Sequence, residues 1–535
     1  MTTPHTRRRR AALALTLSAA LAAPLGASIA SAAPGDEVSL TPLGTFATGA
    51  FDEGASEIVA HDPATQRAFV VNAQAGTVDV LDITDPTSPT KAATLETPGA
   101  NSVAVHDGLI AVAEQAEDKQ ARGTVSFFDA ESLTKLRTLP AGALPDMVTF
   151  TPDGQNVLVA NEGEPEGYLE GQADPEGSVT VINLANGVDR ARVRTADFTA
   201  FNGRAKKLEA AGVRLNGPGA SVAEDLEPEY IVTSRDGRTA WVALQEANAV
   251  AVLDVRAARV ADIVPLGLKD HSLQGQGMDA AKDDGGINID THPVKGMYMP
   301  DGMAAYSTAA GDEFVITANE GDGREYDGFE DEAKVKDLTL DPAVFPNAEE
   351  LSRDEAIGDL KVSATSPQGE DGYTELHSFG ARSVSILDRS GRMVWDSGDA
   401  FERLVAERNP EDFNSTNDEN DSFDNRSDNK GPEPEGVTVG AIGESRYAFV
   451  GLERDSGIAI VDVSDMGSAT SPRVVGYATN RDFDGDAEAG TAGDLGPEGL
   501  HFIRAEDSPN GQPLLLVGNE VSGTTTIWQV EAKGE

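Results

Sequence analysis

The chain has 535 residues, with 90 Asp plus Glu against 42 Lys plus Arg and a formal net charge of -48. Such a charge repels nucleic acid and anionic membrane surfaces and favours cations, so no nucleic acid is expected as a partner. Cysteine is absent, which excludes disulfides, thiol catalysis, zinc–thiolate sites and iron–sulfur clusters. At 39% hydrophobic residues the chain is long enough to rely on an apolar core instead.

The N-terminus carries Arg7-Arg8-Arg9-Arg10, then AALALTLSAALAAPL, then Ala30-Ser31-Ala32. A basic end, a short apolar run and a small-x-small cut site predict a secretory signal peptide over 1–32, cleaved near Ala32-Ala33. Its loss takes the charge from -48 to -52, since four arginines leave. No later apolar run of about 18 residues exists, so no membrane span is expected. The C-terminus, IWQVEAKGE, has no hydrophobic tail, and the mature chain is expected to be secreted and extracellular, with 33–535 as one domain.

Seven units then follow one another. They open at SEIVAHD (56–62), NSVAVHD (101–107), PDMVTFTPDG (145–154), PEYIVTSRDG (228–237), PDGMAAY (300–306), PEGVTVG (434–440) and PEGLHFI (497–503). Each continues with a second apolar strand, such as NVLVANEGEP (156–165), FVITANEGDG (314–323) or LLLVGNEVSG (514–523), and a third such as GSVTVIN (177–183) or TTTIWQV (524–530). Short alternating or apolar strands divided by Gly, Asp, Asn and Pro, about 40–50 residues to the unit, predict the blades of an all-β, seven-bladed β-propeller. A parallel β-helix is the runner-up, but its repeats are shorter and more regular. The last unit lacks a fourth strand, and SLTPLGTFATG (39–49) is expected to supply it and close the ring. Three insertions interrupt the rhythm. Residues 198–224 contain RAKKLEAAGVRL, an amphipathic helix stopped by Gly212. Residues 324–375 contain EELSRDEAIGDLKV, expected to be helical. Residues 399–432 open on DAFERLVAER, with Asp399 and Glu402 spaced as a capping box, and continue into an Asp/Asn-rich stretch that is either disordered or ordered by an ion.

Carboxylates recur at two places in the repeat. After the second strand stand Glu114, Glu162, Glu246, Glu320, Glu453 and Glu520, with Asn72 in the first unit. At the start of the first strand stand Glu57, Asn101, Asp146, Glu229, Asp301, Glu435 and Glu498. In a propeller both places meet at one mouth of the central channel, which predicts a collar of acids. One explanation is structural: the acids accept backbone N–H groups in the turns. The other is functional. Two charges 4 Å apart cost about 4 kcal/mol at an effective dielectric near 20, so a cation is required or some acids stay protonated. Calcium, with six to eight oxygen ligands and no need of His or Cys, is the natural occupant. The metal candidates are Glu162, Glu229, Asp301, Glu320, Glu435, Glu453, Glu498 and Glu520. A separate candidate is RDFDGDAEAGTAGD (481–494), where Asp482, Asp484 and Asp486 alternate as in a calcium loop, although Ala487 and Gly493 break the EF-hand pattern.

The phrases DPEGSVTVIN, DLEPEYIVTS, LGLKDHS, KDDGGINI, PVKGMYMPDGMA, TANEGDGREY, SFGARSVSILD, GPEPEGV and GDLGPEGL occur in order from about 40 to 530. With them the chain resembles the choice-of-anchor I family, which is related to the mesenchyme-specific cell-surface glycoproteins of biomineralising animals. The resemblance implies a secreted or surface-tethered β-propeller, and relatives are sometimes labelled alkaline phosphatase. A two-zinc phosphatase needs several His ligands, and the six His beyond the signal are scattered. A calcium-filled, carboxylate-lined channel is another route to phosphoester hydrolysis. Arg324, beside the Glu320 phrase, is then the candidate catalytic cation. The sequence thus supports two functions: a secreted binding protein for divalent cations, with a cell-surface ligand, or a calcium-dependent phosphoesterase acting on a phosphorylated small molecule.

Overall fold

The computed structural model describes residues 36–468 and 471–533, so the expected signal peptide lies outside the described residues. Among these residues the repeats fold as seven four-stranded antiparallel sheets. Their first strands are Val59–Asp62, Ala100–His106, Pro145–Phe150, Pro228–Thr233, Met303–Ser307, Pro434–Ile442 and Pro497–Ile503. Second strands, such as Arg67–Asn72 and Leu514–Asn519, are buried almost throughout. They are apolar on both faces because a neighbouring sheet covers each face. Fourth strands such as Thr90–Leu95 and Arg192–Asp197 are mostly exposed, and their sequences are correspondingly polar.

The strand period of two decides which sheets share a core. In the fourth sheet Trp241 packs toward Val315 and Leu387 of the fifth, while the next residue, Val242, packs toward Leu158 of the third. Phe449 and Val450 divide in the same way between the seventh sheet and the fifth. Leu515 faces the sixth sheet, and Leu516 meets Val70 and Leu81 of the first. Each pair of successive sheets therefore has its own apolar cluster, and the seventh shares one with the first. Burying a single Leu or Phe in these layers contributes about 1.5–3 kcal/mol. The strand expected from 39–49 runs Val38–Ala47 and pairs antiparallel with Thr524–Ala532, filling the fourth place in the last sheet. First strands adjoin one another in chain order, and that of the seventh sheet adjoins that of the first. The architecture is all-β and propeller-like.

The insertions depart further from expectation. Residues 198–224 do form a helix, Ala205–Ala211, which ends at Gly212 in the left-handed region (φ 106). EELSRDEAIGDLKV is not a helix beyond Ala348–Leu351, and Lys361–Ser363 is a strand. The chain turns at Gly358 so tightly that a Cβ there would lie 2.6 Å from the carbonyl oxygens of Ser352 and Arg353. That strand joins a five-stranded sheet with Leu268–Asp270, Lys295–Met297, Glu332–Lys334 and His377–Ser378. Its core is Met278, Val335, Leu340, Leu360, Val362 and Leu376, so residues near 268–297 are a fourth insertion that sequence reading missed. In 399–432 the helix runs Ala400–Arg408, but the capping box does not form. Asp399 instead accepts from Arg403 (2.7 Å), and the buried Glu402 pairs with Arg382 (2.7 Å). The Asp/Asn-rich stretch is held in part by protein partners: Arg481 donates to the carbonyls of Thr416 and Glu419, and Asn417 Nδ2 donates to Glu453 (2.7 Å).

Part of the acidic charge is purely local. Asp82, Asp129, Asp254 and Asp388, at the ends of third strands, accept main-chain amides of Thr84, Ser132, Ala257 and Ser390 at 2.7–2.9 Å. These are Asx turns facing solvent.

Candidate metal centre

The Pro-acid-Gly phrase that opens several first strands has a mechanical reason. The acid faces the channel, and the glycine lets the next sheet approach. A Cβ on Gly302 would lie 2.3 Å from the carbonyl oxygen of Glu435, one on Gly436 would lie 1.8 Å from that of Glu498, and one on Gly499 would lie 2.2 Å from that of Glu57. The Gly302 amide also donates to the Glu435 carbonyl (3.1 Å). Acid-bearing backbones are thus pressed together sheet by sheet, and the carboxylates come with them. First strands of all seven sheets line one cavity of about 430 Å³, with Glu57, Asp146, Glu162, Asp301, Glu435, Glu498 and Glu520 in its wall.

The Asn-Glu pair at the end of the second strands divides its labour. Asn161 Nδ2 donates to the carbonyl of Ser178 and to Thr180 Oγ1 (both 3.0 Å), and Asn319 Nδ2 donates to Ser385 Oγ (2.8 Å). The asparagine therefore pins second strand to third, and the following glutamate reaches the cavity. This corrects two positions of the expected collar. Glu114 pairs with Ala100 as Asn161 pairs with Pro145, and accepts from Thr124 (2.9 Å) and Ser126 (2.7 Å); Gln115 takes the cavity-facing place. In the fourth sheet Leu244 ends the strand, so Gln245 rather than Glu246 holds that place, and its Nε2 donates to Glu320 (3.0 Å). A one-residue slip in alignment hid both glutamines.

Three sets of carboxylates converge around this cavity: Glu57 with Glu498 and Glu520, Asp301 with Glu320 and Glu435, and Glu320 with Glu433 and Glu453. In each set one oxygen per residue lies within 4.8 Å of the others. A calcium ion at about 2.4 Å from each ligand oxygen allows them to be up to about 4.8 Å apart, so the spacing suits that ion. Glu229, Glu435 and Glu498 each keep one buried carboxylate oxygen without a hydrogen-bond partner among the described residues. Burial first, then Glu520 and Asp146, pushes Glu57 up to about 8. Burial pushes Asp322 up to about 7 and Asp146 up to about 6, with Glu320 and Glu164 adding repulsion. Glu162, Glu229, Asp301, Glu435, Glu453 and Glu498 are all raised well above the carboxylate range, by burial and then by neighbouring carboxylates.

Compensating cations are unevenly placed. Lys430 Nζ donates to Glu320 Oε1 (2.6 Å) and to the Gly321 carbonyl (2.7 Å). Arg454 meets Glu433 (2.9 Å) and Glu453 (3.1 Å), and Arg426 also pairs with Glu433. Burial would raise Glu433, yet these three cations hold it below its usual range. No salt bridge among the described residues reaches Glu57, Glu498 or Glu520. Sequence reading placed Glu57 in the collar but not among the metal ligands, and it missed Glu433 altogether. The pairs Lys430–Glu320 and Arg454–Glu433 are 110 and 21 residues apart in the chain, so spacing carries no signal.

Arg324 is not at the cavity. It is buried and bridges Asp225 (2.7 Å) and Glu227 (3.1 Å), and it also donates to Asn216 and to the Asp225 carbonyl (2.9 Å). It ties the segment around 216–227 to the end of the fifth sheet's second strand, and its donors are occupied. Asp482, Asp484 and Asp486 do not converge either. All three are exposed, and Asp482 and Asp486 accept the amides of Asp484 (3.1 Å) and Ala489 (2.8 Å) as turn caps. The alternation that suggested a calcium loop is that of successive tight turns. Arg324→Ala leaves Asp225 and Glu227 buried without their partner, and is expected to cost about 3–5 kcal/mol in denaturant unfolding. A loss below about 1 kcal/mol would contradict the clamp.

Over 321 residues the chain is 29% identical to a mesenchyme-specific cell surface glycoprotein of Strongylocentrotus purpuratus, covering 51% of this chain and 40% of that protein. It is 34% identical over 190 residues to gigasin-3a of Magallana gigas, covering 34% of this chain and 66% of that one. The chain thus spans two fifths of the first relative and just under two thirds of the second. Among solved structures, the Swd1 β-propeller domain of Myceliophteria thermophila aligns over 92% of this chain and 100% of its own, with 10% identity and a TM-score of 0.44. Hydrazine synthase of Kuenenia stuttgartiensis aligns over 90% and 97%, with 12% identity and a TM-score of 0.48. Residues 57–466 match the model of the choice-of-anchor I domain, and the chain belongs to that family.

Proposed function

We propose that the chain is a secreted, seven-bladed β-propeller, closed by its N-terminal strand, that binds divalent cations, calcium above all, in its carboxylate-lined channel, and acts as an extracellular binding or surface protein. The observation that carries this reading is the triad Glu57, Glu498 and Glu520. It draws three carboxylate oxygens within 4.8 Å of one another, and no salt bridge among the described residues reaches it. An ion of charge +2 supplies the missing compensation, and the unpartnered oxygens of Glu435 and Glu498 give it further ligands. Seven interfaces between successive sheets, the last returning to the first, support the ring. The cell-surface description of one relative supports an extracellular setting.

The phosphoesterase reading has less support. Arg324, its expected electrophile, is occupied by Asp225 and Glu227, and Lys430 is occupied by Glu320 and Gly321. A phosphate entering the channel would meet carboxylates first.

Two outcomes follow. In calorimetric titration after chelation, the protein binds calcium, and Glu498→Gln or Glu57→Gln weakens that binding at least tenfold, about 1.4 kcal/mol. Absence of heat and of any thermal shift would overturn the metal reading. The second outcome concerns pH. The folded-state values of Glu57 (about 8), Asp322 (about 7) and Asp146 (about 6) are raised above those of the unfolded chain. Raised carboxyl groups stabilise the fold fully below the unfolded value, and this contribution is lost as pH rises through the folded value. In chelator, Tm should therefore fall as pH rises from about 4.5 to about 8, and calcium should remove most of that fall. A Tm flat across this range in chelator would contradict the account.

A further inference from the structure

A second group of acids lies away from the channel. Asp279, Asp284 and Asp424 each offer an oxygen within 4.8 Å of the others. They come from two segments far apart in sequence: Asp279 and Asp284 from the loop preceding Lys295–Met297, and Asp424 from the Asp/Asn-rich insertion. Asp279 and Asp424 are 0% and 1% exposed. Asp279 accepts the amides of Asn288 (2.6 Å) and Ala281 (3.4 Å), and Asp424 Oδ1 accepts from Ser427 (2.5 Å). Asp424 Oδ2 is buried with no partner among the described residues, and so are Asn414 Oδ1 and Glu402 Oε2 beside it. The Asn414 amide nitrogen donates to Glu402 Oε1 (3.1 Å) and to Ser427 Oγ (2.8 Å), which fixes its own carbonyl oxygen as a free acceptor. One cation stands nearby: Arg382, which pairs with Glu402 Oε1 (2.7 Å) and the Asp279 carbonyl (2.5 Å). Lys282 pairs with Asp428 (2.8 Å) instead. A buried set of hard oxygens, several without any donor, is costly unless something positive is coordinated there.

We infer that Asp279, Asp284 and Asp424, with the unpartnered buried oxygens of Asn414 and Glu402 in the surrounding hydrogen-bond network, form a second divalent-cation site of calcium type. It joins the 271–294 loop to the Asp/Asn-rich insertion. That insertion is the segment that carries Asn417 to Glu453 (2.7 Å) and Lys430 to Glu320 (2.6 Å). A cation held by Asp424 therefore fixes the segment that delivers compensating groups to one side of the channel. The oxygens are acidic or amide, with no sulfur or histidine among them, which suits calcium over zinc.

The test uses the full chain, stripped with chelator and titrated with calcium alone. The wild type should show two classes of site. Asp424→Asn and Asp284→Asn should each weaken one class at least tenfold and leave the other, while Glu498→Gln should do the reverse. Hydrogen exchange across 412–430 should slow on calcium addition in the wild type and not in Asp284→Asn. Asp284 is only partly buried, so this variant decides the matter if Asp424→Asn fails to fold by circular dichroism. Unchanged titrations for Asp284→Asn, with calcium still slowing exchange over 412–430, overturn the second site. Unchanged titrations for Glu498→Gln alone overturn the channel site and leave the second standing.

Discussion

Mutual repulsion of carboxylates is the constraint on which the rest of this structure depends. Repetition brings the same residue of successive sheets side by side where their first strands adjoin. A sequence that repeats an acid there gathers like charge, whatever the separation along the chain. Asp301 and Glu435 are 134 residues apart in sequence, yet their carboxylates converge with that of Glu320 within 4.8 Å. Close approach is enforced by glycines 302, 436 and 499, which admit the neighbouring backbone where any side chain would collide. The arrangement costs electrostatic energy, and the protein has to answer it with protons, with its own cations or with ions from solution.

Its own cations gather chiefly around Glu320, Glu433 and Glu453, with Lys119 in the cavity wall near Glu164. Lys430, Arg426 and Arg454 arrive from the long insertion and from the turn after Ser445–Leu452, and they neutralise Glu320, Glu433 and Glu453. Among the described residues no salt bridge reaches Glu57, Glu498 or Glu520, although Arg454 opposes the rise that burial gives Glu520. At two places of the repeat an amide, Gln115 or Gln245, stands where other sheets carry an acid and lowers the repulsion.

Most of the fold could be read in the sequence, because the signal was periodic. Alternating and apolar runs placed the strands, and the missing fourth strand of the last unit pointed to 39–49, which forms Val38–Ala47. The collar was legible for the same reason, apart from the slip at Glu114 and Glu246. There the phrase lacks its Asn-Glu pair, and a glutamine stands where a glutamate was sought. What could not be read lies in the insertions, which follow no period. The helix expected over 349–362 stops at Leu351, and a helical pattern does not reveal the tight approach of Gly358 to Ser352 and Arg353. Arg324 looked available beside Glu320, but its partners Asp225 and Glu227 are about a hundred residues upstream. Asp482, Asp484 and Asp486 have the alternation of a metal loop and the geometry of turns.

Diffraction from crystals grown in calcium, with the anomalous signal of the ion recorded, tests the central claim most directly. The account predicts an anomalous peak within coordination distance of Glu57, Glu498 and Glu520. A channel without such a peak, with these three side chains turned apart or bonded to main-chain amides, would contradict it.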